Sequence, residues 1–203
     1  MSASLTEPQV FVLADRALDR VIAQVRHDQW DMVMPASFQT RVADHPPTLR
    51  EIVNYHAYDD AWVPDVLAGR TMAEVGVDKH KGDLLGDDPK AAFRAIVDLA
   101  VAAAESLDDL DRTAHLSFGD FTVLEFLWQA NSFRGLRAHD IGAAIGVDAA
   151  LPPELVQGLW DELSPVAEEW RAIGVFQAAV PVDPDAPLLD RLLGLTGRDP
   201  DPA

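Results

Sequence analysis

Two arginines stand on the apolar face of the longest helix that the sequence predicts, residues 122–146. At about 100° per residue, one face of this helix carries Val123, Leu127, Ala130, Arg134, Arg137, Ile141 and Ile145. A guanidinium group cannot be buried there without a partner, because desolvation of an unpaired charge is strongly unfavourable. We therefore expect Arg134 and Arg137 to meet carboxylates across the core. We also expect that polar network to mark a functional, or formerly functional, site.

An earlier predicted helix, residues 48–69, supplies the candidate partners. His56 and Asp60 lie on its apolar face, and Tyr55 and Asp59 flank that face. Buried arginines are nearly always paired with carboxylates, so these side chains complete a network around the inward-facing guanidinium groups. Two plainer interpretations stay open. In the first, His56 is a residue at the edge of the core whose hydrogen bonds are satisfied by a neighbour. In the second, Asp59 and Asp60 are a solvated pair near one end of a bundle.

Helical periodicity and capping signals place the remaining elements. Further helices are predicted over residues 8–27, from Pro89 onward, over 153–173 and over 188–195, and residues 113–121 are expected to be extended. Long helices joined by short or medium loops are typical of helical bundles. The sequence therefore predicts one all-α domain over residues 1–203, a four-helix bundle with additional C-terminal helices.

Charge and composition exclude several classes of function. The 203-residue chain has 34 acidic and 16 basic residues, a formal charge of −18, which would repel a nucleic-acid backbone. It has no cysteine, so disulfides, thiolate metal sites and cysteine nucleophiles are excluded and any reactive thiol must come from another molecule. It has neither a signal-peptide pattern nor an apolar run of membrane-spanning length. We expect a cytoplasmic protein with no nucleic-acid or membrane partner.

Several segments resemble the DinB-like family, in the branch related to the metal-binding domain of mycothiol-dependent maleylpyruvate isomerase. These segments are LREIVN, WVPDVLAGRT, DIGAAIGVD and VPVDPDAPLLDRLLGLTGRDP. The resemblance spans most of the chain and implies a DinB-like four-helix bundle. It also implies a divalent metal, zinc or nickel, held by a histidine on the second helix and by a carboxylate and a histidine four residues apart on a later helix.

The chain departs from that pattern at each expected ligand. With the shared motifs in register, the three ligand positions fall on Tyr55, Phe133 and Arg137. We therefore expect a degenerate metal site without a cofactor, in which Arg137 supplies inside the bundle the positive charge that the metal supplies in relatives. Any residual metal would depend on a reduced set of ligands, His56 and Asp60, with His139 the weaker candidate.

Three functions remain open from the sequence, and catalysis is not decided. The first is binding of a small, anionic molecule by Arg134 and Arg137 in a cavity between the two site helices. The alternative is a divalent-metal-dependent transferase or isomerase that uses a low-molecular-weight thiol such as mycothiol. The third is a structural role as a homodimer, paired through an apolar face such as Leu155, Leu159 and Leu163.

Overall fold

The computed structural model describes residues 5–38 and 45–201 and is mostly helical. Its helices are α1 (Glu7–Ile22), α2 (Leu49–Leu67), α3 (Met72–Val75), α4 (Pro89–Glu105), α5 (Val123–Ile145), α6 (Pro153–Leu163), α7 (Ala167–Ala172) and α8 (Leu188–Leu195). Two 3-10 turns, His27–Gln29 and Ala36–Phe38, follow α1. One antiparallel hairpin joins β1 (Thr113–Leu116) to β2 (Gly119–Thr122).

Side-chain caps fix where the two site helices begin. Thr48 accepts from the backbone N–H of Glu51 at the start of α2, and the Glu51 carboxylate accepts in return from the Thr48 backbone. The same reciprocal pair, Thr122 with Glu125, begins α5. Each reciprocal pair, called a capping box, satisfies backbone N–H donors that have no partner within the first helical turn. Both helix starts were predicted from this signature.

The four long helices, α1, α2, α4 and α5, pack side by side. Helix α1 contacts α5 and α4, α2 contacts α4, and α6 lies against α1 and α5. The largest fully buried side chains include Phe11, Leu18, Phe93 and Leu127, which come from α1, α4 and α5. This arrangement brings the inner faces of α1, α2 and α5 to a shared interior, where the predicted network would have to form.

The structure differs from the sequence prediction at two helix ends. The predicted helix 153–173 is two helices, since α6 ends at Leu163 and α7 begins at Ala167. Pro165 lies in the break, where it lacks the N–H that a continuous helix needs and its ring clashes with the preceding turn. The first helix ends at Ile22 rather than at residue 27.

The proposed dimer face is not on the surface. Leu155, Leu159 and Leu163 are all buried in the core of this single chain, where α6 packs on α1 and α5. The expectation that they form an apolar dimer face is therefore wrong, because the amphipathic stripe of α6 is satisfied within the chain. Homodimerisation through another surface stays a prediction.

Among the described residues, no helix combines the length and the apolar content that a membrane span requires.

Two helical glycines, Gly135 on α5 and Gly194 on α8, allow a test of how tightly their helices pack. A methyl group at Gly194 would lie 2.7 Å from the backbone oxygen of Val180, whereas one at Gly135 would meet only the side-chain end of Leu159. Both replacements gain similar helix propensity. Gly194→Ala should therefore lower the free energy of unfolding by about 1–3 kcal/mol, and Gly135→Ala by less. Urea unfolding of both variants measures this, and an equal or larger loss for Gly135→Ala contradicts it.

Candidate functional site

Three helices meet at one buried guanidinium group. The Nε of Arg134, on α5, donates to Asp60 Oδ1 of α2 at 2.6 Å and to Asp15 Oδ1 of α1 at 3.1 Å. A second guanidinium nitrogen of Arg134 also donates to Asp60 Oδ1. The Arg134 side chain is 3% exposed and both carboxylates are fully buried. The network expected around the inward-facing arginines therefore includes Arg134 and Asp60, and Asp60 is not part of a solvated pair.

The charges in this cluster depend on one another. Burial raises the pKa of the Asp15 carboxyl well above its usual range, the nearby Asp60 raises it further, and Arg134 opposes the rise. Burial also raises the pKa of Asp60, again against Arg134. Two carboxylates facing one guanidinium leave a surplus negative charge in a low-dielectric interior. The raised pKa means that Asp15 takes up a proton more readily than an exposed aspartate does, and such a proton would balance the cluster.

Arg137, one turn further along α5, has a different environment. It is 8% exposed, and its guanidinium carbon lies 4.6 Å from the ring centre of Phe38 and 5.3 Å from that of Phe133. Within residues 5–38 and 45–201, no carboxylate lies within ion-pair distance of Arg137. The expected pairing of Arg137 with Asp59 or Asp60 is therefore wrong for these residues, and aromatic faces cover the cation instead.

The nearest acidic group along α5 is already engaged. Asp140 accepts from Arg198 Nε at 2.8 Å and from a terminal nitrogen of Arg198 at 2.9 Å. Although burial opposes it, the nearby His139 and the hydrogen bonds from Arg198 lower the pKa of Asp140 to about 2. Arg137 and Arg198 thus share the neighbourhood of a single carboxylate, which leaves a local surplus of positive charge.

His56 is the least satisfied polar side chain of the site. It is 1% exposed and stacks on Phe133 with 4.7 Å between ring centres. In the described part of the chain, neither ring nitrogen has a hydrogen-bond partner. Burial lowers the pKa of His56 well below its usual range, and Arg137 and Arg134 lower it further. A neutral imidazole with an open donor and an open acceptor thus lies beside Arg137, and among the described residues it is not the satisfied histidine of the plainer interpretation.

The remaining candidates lie around this cluster. The Tyr55 ring stands edge-on to Phe133, with 6.2 Å between ring centres, and is similarly oriented to His56. Asp59 is half-buried, and its charge contributes to the raised pKa of Arg134. His139 is half-buried rather than exposed, and its Nδ1 lies 3.5 Å from Asp140. It therefore belongs with Asp140 and not with His56.

The residues present do not fit the family's divalent centre. The positions matched to the metal ligands carry Tyr55, Phe133 and Arg137. Phe133 has no lone pair and Arg137 is a cation without an acceptor, so of the three only the Tyr55 oxygen could ligate a metal. One oxygen of Asp60 is occupied by Arg134. Within the described ranges, no group of three histidine or acidic side chains lies close enough together to hold a metal ion. A tight divalent site usually needs three protein ligands.

Sequence reasoning missed Asp15 and Phe38. Asp15 carried a usable signal, because Phe11, Asp15, Leu18 and Ile22 follow helical spacing and place a carboxylate within an apolar stripe. Phe38 carried none, because it follows a stretch without periodicity and reaches Arg137 only through the tertiary fold.

Comparison of the chain with family models, with curated protein sequences and with solved structures finds no match. The relationship to the DinB-like family therefore stays a prediction.

Removing the shared cation should be far more damaging than removing a surface cation. Arg134→Met leaves Asp15 and Asp60 facing each other in the core, so we expect a loss of about 3–5 kcal/mol in the free energy of unfolding. The control is Arg26→Met, because Arg26 pairs with Asp28 while both are mostly exposed; its loss should be about 0–1 kcal/mol. Urea unfolding measures both. Similar losses for the two variants would contradict the central role of Arg134.

Lowering the pH should lower the free energy of unfolding, because the folded state keeps His56 neutral. Since the pKa of His56 is lowered in the folded state, the unfolded chain takes up a proton first as the pH falls through about 6.5. Stability is therefore lost on the acid side. Between pH 7.5 and 5.5 the wild type should lose on the order of 1 kcal/mol more than His56→Phe, measured by urea unfolding without added carboxylate or phosphate. His27→Phe, at an exposed position, serves as control, and an identical pH slope in His56→Phe and wild type rules the idea out.

Proposed function

We propose that this chain is a DinB-like helical bundle with a degenerate metal site, and that it binds a small anion at Arg137 and His56. The single observation that carries the proposal is the pairing of two incompletely satisfied groups. A buried imidazole without hydrogen-bond partners lies next to a buried guanidinium without a carboxylate partner, both as seen within the described residues. Such groups are costly to bury, and a ligand that hydrogen-bonds them would offset that cost.

The family assignment is supported by where the matched positions lie. Tyr55, Phe133 and Arg137 were identified separately, from sequence motifs on two different helices. In the fold the Tyr55 ring contacts Phe133, and Phe133 also lies under the Arg137 guanidinium. Residues that replace the ligands of one metal centre should meet in space in this way. The mostly helical fold with four long helices is compatible with the same assignment.

Arg134 and Arg137 have different roles in this proposal. Arg134 is paired with the fully buried Asp15 and Asp60 and also donates to the backbone oxygen of Ala130, so it stabilises the junction of three helices and is already engaged by carboxylates. Arg137 keeps its in-plane N–H groups, because its contacts in the described residues are with aromatic ring faces. A planar guanidinium can donate two parallel hydrogen bonds to the two oxygens of a carboxylate or a phosphate.

Local charge favours an anion over a cation at this position. Arg137 and Arg198 lie near one ionised carboxylate, Asp140. Burial lowers the pKa of Arg137, and repulsion from Arg198 lowers it further, against the attraction of Asp140. The neutral His56 adds a ring N–H that can donate without adding charge. A ligand with one negative charge would balance the surplus. The rest of the chain is strongly acidic, so this is a local exception to its overall charge.

A small anion should raise the melting temperature through Arg137. In the wild type, acetate or inorganic phosphate at constant ionic strength should raise the melting temperature in proportion to the logarithm of its concentration. Arg137→Met should abolish the shift and His56→Phe should reduce it, whereas the surface variant Arg26→Met should keep it. Differential scanning fluorimetry gives the shifts, and calorimetric titration gives the affinity.

Two outcomes would overturn this proposal. One is the absence of any shift with either anion at millimolar concentration, and the other is a shift that persists in Arg137→Met. Elemental analysis of protein purified without chelator tests the alternative function directly. One equivalent of zinc or nickel that is lost in His56→Ala would favour a metal-dependent transferase or isomerase with an external thiol.

A further inference from the structure

A cavity of about 200 Å³ lies between α1, α5 and α6, separate from the arginine cluster. Its walls are formed mainly by Leu5, Glu7, Val10, Trp128, Glu162 and Val166. Apolar side chains and an indole thus surround a site that also contains carboxylates. This combination of an apolar wall with a few polar groups is typical of small-molecule sites.

A buried amide holds Glu162 in place at this cavity. Asn131, which is fully buried, donates from Nδ2 to Glu162 Oε1 at 2.8 Å and to the backbone oxygen of Glu7 at 3.1 Å. The other carboxylate oxygen, Oε2, is buried and has no hydrogen-bond partner within the described residues. The carboxylate is therefore fixed by one oxygen and incompletely satisfied at the other.

Among the described residues that line the cavity, no cation compensates this carboxylate. The charged residues that line the cavity in the described part of the chain are Glu7, Asp161 and Glu162, and none is Lys or Arg. Burial raises the pKa of Glu162 to about 8, and the charges of Glu7 and Asp161 contribute to the rise. Near neutral pH Glu162 is thus protonated, and a ligand cation would have to displace that proton.

We propose that this cavity binds a small alkylammonium ion, with its N–H groups donating to Glu162 and its alkyl chain packed against Val10, Val166 and Trp128. The ammonium group supplies the missing donors and the missing positive charge together. The indole of Trp128 adds a ring face that attracts a cation. A hard metal ion does not suit the site, because calcium and magnesium require six or more oxygen ligands, most of them at short distance.

Binding should be coupled to the loss of the Glu162 proton. Calorimetric titration of the wild-type protein with n-butylammonium should show about tenfold tighter binding at pH 9 than at pH 7, since the pKa of Glu162 is about 8 and alkylamines stay protonated at both pH values. At pH 7 the measured heat should change between buffers of different ionisation enthalpy, because close to one proton is released. The uncharged analogue 1-butanol should bind more weakly and with no such dependence.

Matched variants locate the effect. Glu162→Gln imitates the protonated carboxyl group, so it should fold normally and should abolish the pH-dependent binding of n-butylammonium. Glu105→Gln, at an exposed position on α4, should bind as the wild type does. If Glu162→Gln does not fold, Val166→Phe, which fills the cavity, should abolish binding instead. Equal binding of n-butylammonium and 1-butanol, no detectable binding, or binding unchanged in the variants would overturn the proposal.

Discussion

The interior of this protein depends on the guanidinium group of Arg134, which α1 and α2 share through Asp15 and Asp60. A buried ion pair of this kind contributes little net stability, because the desolvation of its charges offsets most of their attraction. Its effect is better described as a constraint. Because α1, α2 and α5 each contribute one group to the cluster, we infer that it favours the packing in which all three groups meet.

That constraint determines what the neighbouring residues can do. Because Asp60 is committed to Arg134, it is not available to Arg137, and Asp140 is committed to Arg198. Arg137 is stabilised instead by Phe38 and Phe133, which leave its hydrogen-bonding edge unoccupied by carboxylates in the described residues. Arg134, which is paired with carboxylates, and Arg137, which has no carboxylate partner among the described residues, lie only three positions apart on α5. In the proposed function, stability and ligand recognition would thus be assigned to two residues of one helical turn.

Local sequence signals predicted the helices well and the partners poorly. The capping boxes at Thr48 and Thr122 depend only on residues three positions apart, so they could be recognised without knowing the fold. The break at Pro165 was also a local signal, but the apolar stripe that continues on both sides concealed it. By contrast, helical periodicity shows that two arginines face inward and cannot show which of them reaches Asp60. That choice depends on the rotation and offset of α2 against α5, which are set by the whole core.

The strongly acidic surface gives the buried donors a further role. A chain with a formal charge of −18 repels small anions at long range and attracts cations, which affects their rates of approach at low ionic strength. In the proposed function, once an anion has reached Arg137, short-range hydrogen bonds in a water-poor environment would determine how tightly it is held. Salt would therefore ease the entry of an anion by screening the surface, while the buried contacts would change much less. At Glu162 the same surface field acts in the opposite direction, because a cation is attracted before it meets the cavity. The two candidate sites should consequently respond to ionic strength with opposite signs in their association rates.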